Sequence, residues 1–191
     1  MRRIIQIKGN HGSGKTTLLN NLIKNRNLKK VAFLPNSHNC CLLFDENIVI
    51  LAYQKSKDGS FNGIDAIIRD GNDLIKYIKV IINKFSPRDL IYEGAIYGET
   101  LQLAQNIDKL SRESRYQYVN FFLHATAQQS IKRVLLRNGG TSINFKTIKN
   151  KFERYGRLVE DLKNSGQIVQ IIDTDNLSPK DVLSKFEGLL L

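Results

Sequence analysis

Apolar positions along the chain change period in a regular order. Residues 3 to 8, RIIQIK, alternate toward a buried strand, and after a polar, glycine-rich stretch Leu18, Leu19, Leu22 and Ile23 recur at helical spacing. A second strand, KKVAFLP, ends at Pro35, and CLLFDENIVILAY reads as two apolar runs about an Asp45-Glu46-Asn47 turn, hence a hairpin. Asn62 is placed to cap a helix from Gly63 to about Lys84, striped by Ile64, Ile67, Ile68, Ile75, Ile78 and Ile82. Pro87 precedes a third central strand, LIYEG. A helix from Glu99 to about Ser114, the strand YVNFFLHA and a helix from Thr126 to Asn138 follow. NGGTS interrupts the pattern. Beyond it Lys146 to Asn164 reads as a basic helix, QIVQIID as a last strand, and Ser178-Pro179 as the start of a C-terminal helix, proline being suited to a first turn.

Strands alternating with helices predict an α/β fold of three layers: a central five-stranded parallel sheet covered on both faces, a small β-hairpin insertion and a basic helical lid over about residues 137–160. At 191 residues and 41% hydrophobic content, one domain over 1–191 is expected. No apolar run approaches the ~20 residues that span a bilayer, and Met1-Arg2-Arg3 opens no signal-peptide core, so the expectation is a cytoplasmic protein without a membrane partner. Adjacent Cys40 and Cys41 suit neither a disulfide nor a metal site and read as reduced, half-buried thiols.

Charge changes the picture. Twenty-nine Lys and Arg against 18 Asp and Glu give +11, which favours a polyanionic partner. Lys132, Arg133, Arg137, Lys146, Lys149, Lys151, Arg154 and Arg157 cluster in one stretch against the single acid Glu153.

Gly9, Gly14, Lys15 and Thr16 fit G-x-x-x-x-G-K-[ST], with the correct strand before and helix after. In the loop Gly9-Asn10-His11-Gly12-Ser13-Gly14 the backbone N–H groups can curl around phosphate oxygens. The helix N-terminus adds partial positive charge, Lys15 reaches the β- and γ-phosphates, Thr16 ligates Mg²⁺, and Thr17 lies on the α-phosphate side. ATP and Mg²⁺ are the expected cofactors. Size and the absence of an Asn-Lys-x-Asp tetrapeptide argue against motor and GTPase readings.

Glu93 closes LIYEG at the carboxyl end of a central strand, where ligands sit in open α/β sheets; a carboxylate there serves the metal's hydration shell or the acceptor's proton. Asp65, in SFNGIDAI, is either a first-turn acid or the group that binds or deprotonates the acceptor hydroxyl. Arg133 and Arg137 share a helix face, suited to gripping a transferring phosphoryl group, with Arg154 and Arg157 second in rank. Tyr92, Tyr97 and Phe61 are candidates for stacking on a base as well as for packing. His38 and His124 suggest only a loop and a strand end.

GNHGSGKTT, the hairpin, FNGID, LIYEGAIYGET and FFLHATAQQSIKRVLLRNGG together resemble the nucleotide-kinase-like P-loop kinases. Within them they are most similar to the bacteriophage kinases that phosphorylate 5-hydroxymethyluracil already incorporated in DNA. That resemblance implies transfer of the γ-phosphate of ATP to the base's hydroxymethyl group, in the host cytoplasm if the chain is viral. By matching positions, Lys15 and Thr16 would bind triphosphate and magnesium, Glu93 or Asp65 would serve the hydroxyl, and Arg137 would act from the lid. A kinase for a free nucleoside or nucleoside monophosphate and a nucleic-acid-bound P-loop ATPase are the alternatives.

Overall fold

Ile4, Ile5 and Ile7 are all buried, so the strand that carries them, β1 (Arg3–Lys8), is covered on both faces and runs through the middle of the molecule. The computed structural model describes residues 1–34, 37–54, 59–64, 68, 70–94, 100–139 and 144–190. Its elements follow the chain as α1 (Lys15–Lys24), β2 (Lys29–Leu34), β3 (Ser37–Phe44), β4 (Ile48–Gln54), β5 (Phe61–Asn62), α2 (Gly71–Phe85), β6 (Asp89–Glu93), α3 (Leu101–Glu113), β7 (Gln117–His124), α4 (Ala127–Arg137), α5 (Phe145–Asn164), β8 (Ile168–Asp173) and α6 (Pro179–Gly188).

The strands form one mixed sheet in the order β2-β3-β4-β6-β1-β7-β8, with the short β5 paired to β4. Neighbours from β4 to β8 pair in parallel, whereas β2–β3 and β3–β4 are antiparallel. Two expectations change here. The hairpin is not an insertion: its second strand, β4, supplies the fifth parallel strand. KKVAFL is an antiparallel strand at the sheet's edge, where its alternation satisfies only one neighbour. Periodicity marks strands but not partners.

Successive side chains of β1 divide between two cores. Ile4 joins the side chains of α2, α3 and α5, while Ile5 and Ile7 join those of α1 and α6. The same alternation sends Cys40 and Cys41 to opposite faces. Both thiols are fully buried rather than half-buried, and burial pushes Cys40 up to about 12. Helix α5 is more than a lid, because Tyr155, Leu158 and Leu162 pack into the core while Lys146, Lys149, Arg154 and Arg157 stay exposed.

The helix expected from Gly63 starts at Gly71, where the Asp70 carboxylate accepts a hydrogen bond from the Asn72 N–H. Asn62 is a strand residue instead. Helix α6 begins as expected, with a capping box between Ser178 and Asp181 and Pro179 at its start.

Beneath the sheet's carboxyl edge lies a buried polar seam that sequence reading missed. The Gln6 Oε1 accepts from the hydroxyls of Tyr92, at 3.2 Å, and Tyr118, at 2.5 Å, and Tyr92 is therefore a core residue rather than a stacking platform. Lys8 Nζ donates to Asn120 Oδ1 at 2.6 Å and faces the rings of Tyr118 and Phe122; burial lowers its pKa to about 7. At the other end of the sheet, buried Asp89 holds Arg3 through two bonds, of 2.6 and 3.0 Å, and Arg88 at 2.9 Å.

Candidate active site

The loop from Gly9 to Gly14 turns sharply between β1 and α1, and two of its glycines are required by space as well as by conformation. Gly9 and Gly12 have φ of 145° and 74°. A Cβ on Gly9 would stand 2.4 Å from the Leu123 carbonyl oxygen and one on Gly12 2.8 Å from that of Ser130. No side chain caps α1 among the described residues, so its first-turn N–H groups remain for an anion. Lys15 Nζ donates to the carbonyls of Gly9, at 2.7 Å, and Asn10, at 3.1 Å, which holds it across the mouth of the loop. The buried Ser13 hydroxyl has no hydrogen-bond partner among the described residues, a feature of a cradle built for oxygens the protein does not supply.

Asn10 has a different role from its neighbours. Its amide donates to the Ala125 carbonyl and the Ser130 hydroxyl, at 3.0 and 2.9 Å, and so fastens the loop to the β7–α4 turn. His11 faces Lys151 of α5, with Nε2 and Nζ 2.9 Å apart. Burial, followed by the charges of Lys151, Lys15 and Arg137, lowers the His11 pKa to about 4, so its ring is neutral near pH 7.

A cavity of about 660 Å³ opens over this loop. His11, Gly12, Ser13, Gly14, Lys15, Thr16 and Thr17 form its floor, and Arg133 and Arg137 approach from α4. Arg133 is fixed in place: its guanidinium donates to the Gly12 carbonyl at 3.3 Å and to the Thr174 hydroxyl and carbonyl at 3.1 and 2.5 Å. Thr174, just past β8, has its hydroxyl within 3.2 Å of the Ser13 carbonyl and 2.9 Å of that of His124. With Leu177, Pro179 and Val182 it makes the less polar end of the cavity. Sequence reading missed these four; a turn directly after the last strand, at the same sheet edge as the loop, was the available signal.

The opposite end is formed by Glu93, Asn62 and Gly63. Glu93 is 4% exposed, which places a carboxylate inside the cavity wall rather than on the surface. Gly63 lies against it, since a Cβ at Gly63 would be 2.7 Å from both the Glu93 carbonyl oxygen and Oε2. Asn20 of α1 holds that segment in position, donating to the Phe61 carbonyl at 2.7 Å and accepting from the Phe61 N–H at 2.9 Å. Phe61 itself packs against the core beside α1. Asp65 and Tyr97 lie outside the described residues. No cluster of three or more His, Cys, Asp and Glu suited to a metal occurs among the described residues. Nor is any described helix long and apolar enough to cross a membrane.

A phosphate loop, a buried carboxylate at the end of the adjacent parallel strand and arginines from the following helix define a P-loop kinase of the nucleotide-kinase type. Solved structures agree on the fold. The tunicamycin resistance protein of Deinococcus radiodurans has a TM-score of 0.52 at 14% identity, covering 98% of this chain and 95% of its own. The deoxyadenosine kinase of M. mycoides with bound dATP has a TM-score of 0.50 at 12% identity, covering 99% of each chain. The profile of the family described as 5-hmdU DNA kinase matches residues 2–165, and the chain belongs to that family. Among curated proteins, 5-hmdU DNA kinase 1 of Salmonella phage ViI is 28% identical over 150 residues. That alignment spans 78% of this chain and 65% of the phage protein, slightly less than two-thirds of its length.

Proposed function

We propose that this protein transfers the terminal phosphoryl group of ATP to the hydroxymethyl oxygen of 5-hydroxymethyluracil bases in DNA, a step of phage DNA hypermodification carried out in the cytoplasm of the infected cell. The observation that carries the reading is the family match over residues 2–165, because it covers the phosphate loop, the α4 arginines and the Gly63–Glu93 wall of the cavity.

Bound ATP with Mg²⁺ supplies the phosphoryl group and neutralises part of its charge. The protein's share is positioning and electrostatics. Backbone N–H groups of the loop and Lys15 hold the phosphates, and Thr16 and Glu93 are the residues suited to the metal and its water shell. Arg133, already bonded to Gly12 and Thr174, fixes the nucleotide side. Arg137 stabilises the charge that develops on the transferring group. Glu93, with Asp65 as the alternative acid, accepts the hydroxyl proton. The Gly63–Glu93 wall lines the cavity, so a base is presented beside that carboxylate, and the exposed cations of α5 are suited to the flanking phosphates. A target base in a duplex must be reached in the major groove or extruded, and extrusion costs a few kcal/mol.

The direct experiment offers γ-labelled ATP and Mg²⁺ with matched DNAs containing thymine or 5-hydroxymethyluracil, and with the free nucleosides and monophosphates. Label on the base of hydroxymethylated DNA alone is the expected result. Label confined to a free nucleoside or monophosphate would replace the DNA reading with a metabolite kinase, and DNA-stimulated hydrolysis without a labelled product would replace it with an ATPase.

A further inference from the structure

We propose that Lys151 is a ligand of the transferred phosphoryl group, carried to the site by α5 and placed beside His11 of the phosphate loop. The inference rests on the ATP half of the proposed function and not on the identity of the acceptor.

Three observations carry it. Lys151 comes from a helix whose other face is locked into the core through Tyr155, Leu158 and Leu162, so its Cα is held rigidly near the loop rather than on a loose arm. Its ammonium lies 2.9 Å from Nε2 of a residue that itself lines the nucleotide cavity. Lys15 and Arg137 line the same cavity as His11, so cations from α1, α4 and α5 stand around it. A multiply charged anion is the ligand that such a set of cations suits.

His11 completes the arrangement. A neutral imidazole with its proton on Nδ1 presents Nε2 as an acceptor for the Lys151 ammonium, giving the lysine a partner that carries no charge of its own. A phosphate oxygen is the stronger acceptor because it is charged, and the flexible four-carbon stem lets the ammonium pass from ring to phosphate while the helix stays fixed. The terminal phosphate is the one Lys151 selects, because the loop N–H groups already surround the inner ones. Sequence reading placed Lys151 only within a basic stretch, since its proximity to His11 spans 140 positions of the chain.

The test is a comparison of nucleotide affinities by calorimetry with Mg²⁺ present, using ADP and the non-hydrolysable β,γ-imido analogue of ATP. Lys151→Gln is expected to weaken the triphosphate analogue by about tenfold or more while ADP stays within about twofold. Lys151→Arg is expected to restore the preference, and Lys24→Gln, an equal charge change on an exposed residue at the end of α1, to leave it unchanged. Equal weakening of both nucleotides by Lys151→Gln, or no weakening of either in a folded variant, overturns the proposal. Failure of the wild-type protein to bind either nucleotide would overturn the kinase reading along with it. A normal triphosphate effect without label on DNA would instead uphold Lys151 and reject only the acceptor.

Discussion

Gly63→Ala tests how the acceptor end of the cavity is built. Gly63 does not occupy the left-handed region, so alanine can adopt its backbone and the constraint is space alone. The new methyl would stand 2.7 Å from the Glu93 carbonyl oxygen and Oε2, and 2.9 Å from Cδ. Going from 2.7 Å to the shortest real contact, 3.0 Å, or to ordinary contact, 3.4 Å, requires about 0.3 to 0.7 Å of movement. The Glu93 main chain cannot readily supply it, being paired with Ile7 in the sheet, and the Phe61 end of the segment is held by Asn20. Relief of the carbonyl contact therefore shifts the Gly63 segment, and relief of the Oε2 contact turns the carboxylate, so either adjustment alters the acceptor wall. A misplacement of about 1 Å at a reacting group costs about 100-fold, so this smaller one is expected to lower transfer by about tenfold or somewhat more, or ~1.4–2 kcal/mol of barrier. Overpacking should also cost stability by ~1–3 kcal/mol. The assay is single-turnover transfer from γ-labelled ATP to hydroxymethylated DNA, with ADP affinity and thermal unfolding measured on the same protein. ADP affinity should stay within about twofold, and Glu93→Gln should show the same separation with a deeper loss of transfer. Transfer within about twofold of wild type in folded Gly63→Ala, or a parallel loss of ADP affinity, would refute the reasoning.

Three further outcomes are expected. Lys8 has a pKa lowered from 10.5 to about 7, so between those values the unfolded chain holds a proton that the folded one has released. Relative to Lys8→Met, wild-type stability should therefore rise with pH across that window, by at most ~1.4 kcal/mol per pH unit, and a flat difference in denaturant unfolding would contradict the burial of this amine. Asp89→Ala removes the buried carboxylate that pairs with Arg3 and Arg88 at the amino end of the sheet, leaving Arg3 the Leu189 and Leu190 carbonyls, with an expected loss of ~3 kcal/mol and a Tm lower by roughly 10 °C; calorimetry showing no change would remove the pair from the fold's supports. If Lys146, Lys149, Arg154 and Arg157 each neutralise one phosphate, DNA affinity should fall by about 100-fold between 50 and 200 mM salt, and a flat titration would detach α5 from the acceptor.

The loop was legible because its function is local. Nine consecutive residues, GNHGSGKTT, set the turn, the donors and the helix start together, and the flanking periodicities identified the strand and helix that present them. Glu93 was legible for a related reason: the end of an apolar run marks the end of a strand, and parallel strands bring their ends to one edge. The α2 boundary was not, because Asn62 and Asp70 are both plausible caps and only pairing with β4 made a strand residue of the first.

By itself, then, the amino-acid order determined the α/β class, the phosphate loop and the carboxylate at the sheet's edge, all of which depend on spacing within a few residues. Tertiary structure decided the rest. It chose β4 over β2 for the parallel set, set Gly63 against Glu93, joined Arg133 to Thr174, and brought Lys151 to His11. These are contacts between distant segments, and periodicity shows which side of an element is buried without naming what it is buried against. That choice belongs to the packing of the whole chain, in which each strand's neighbours and each helix's face are settled together.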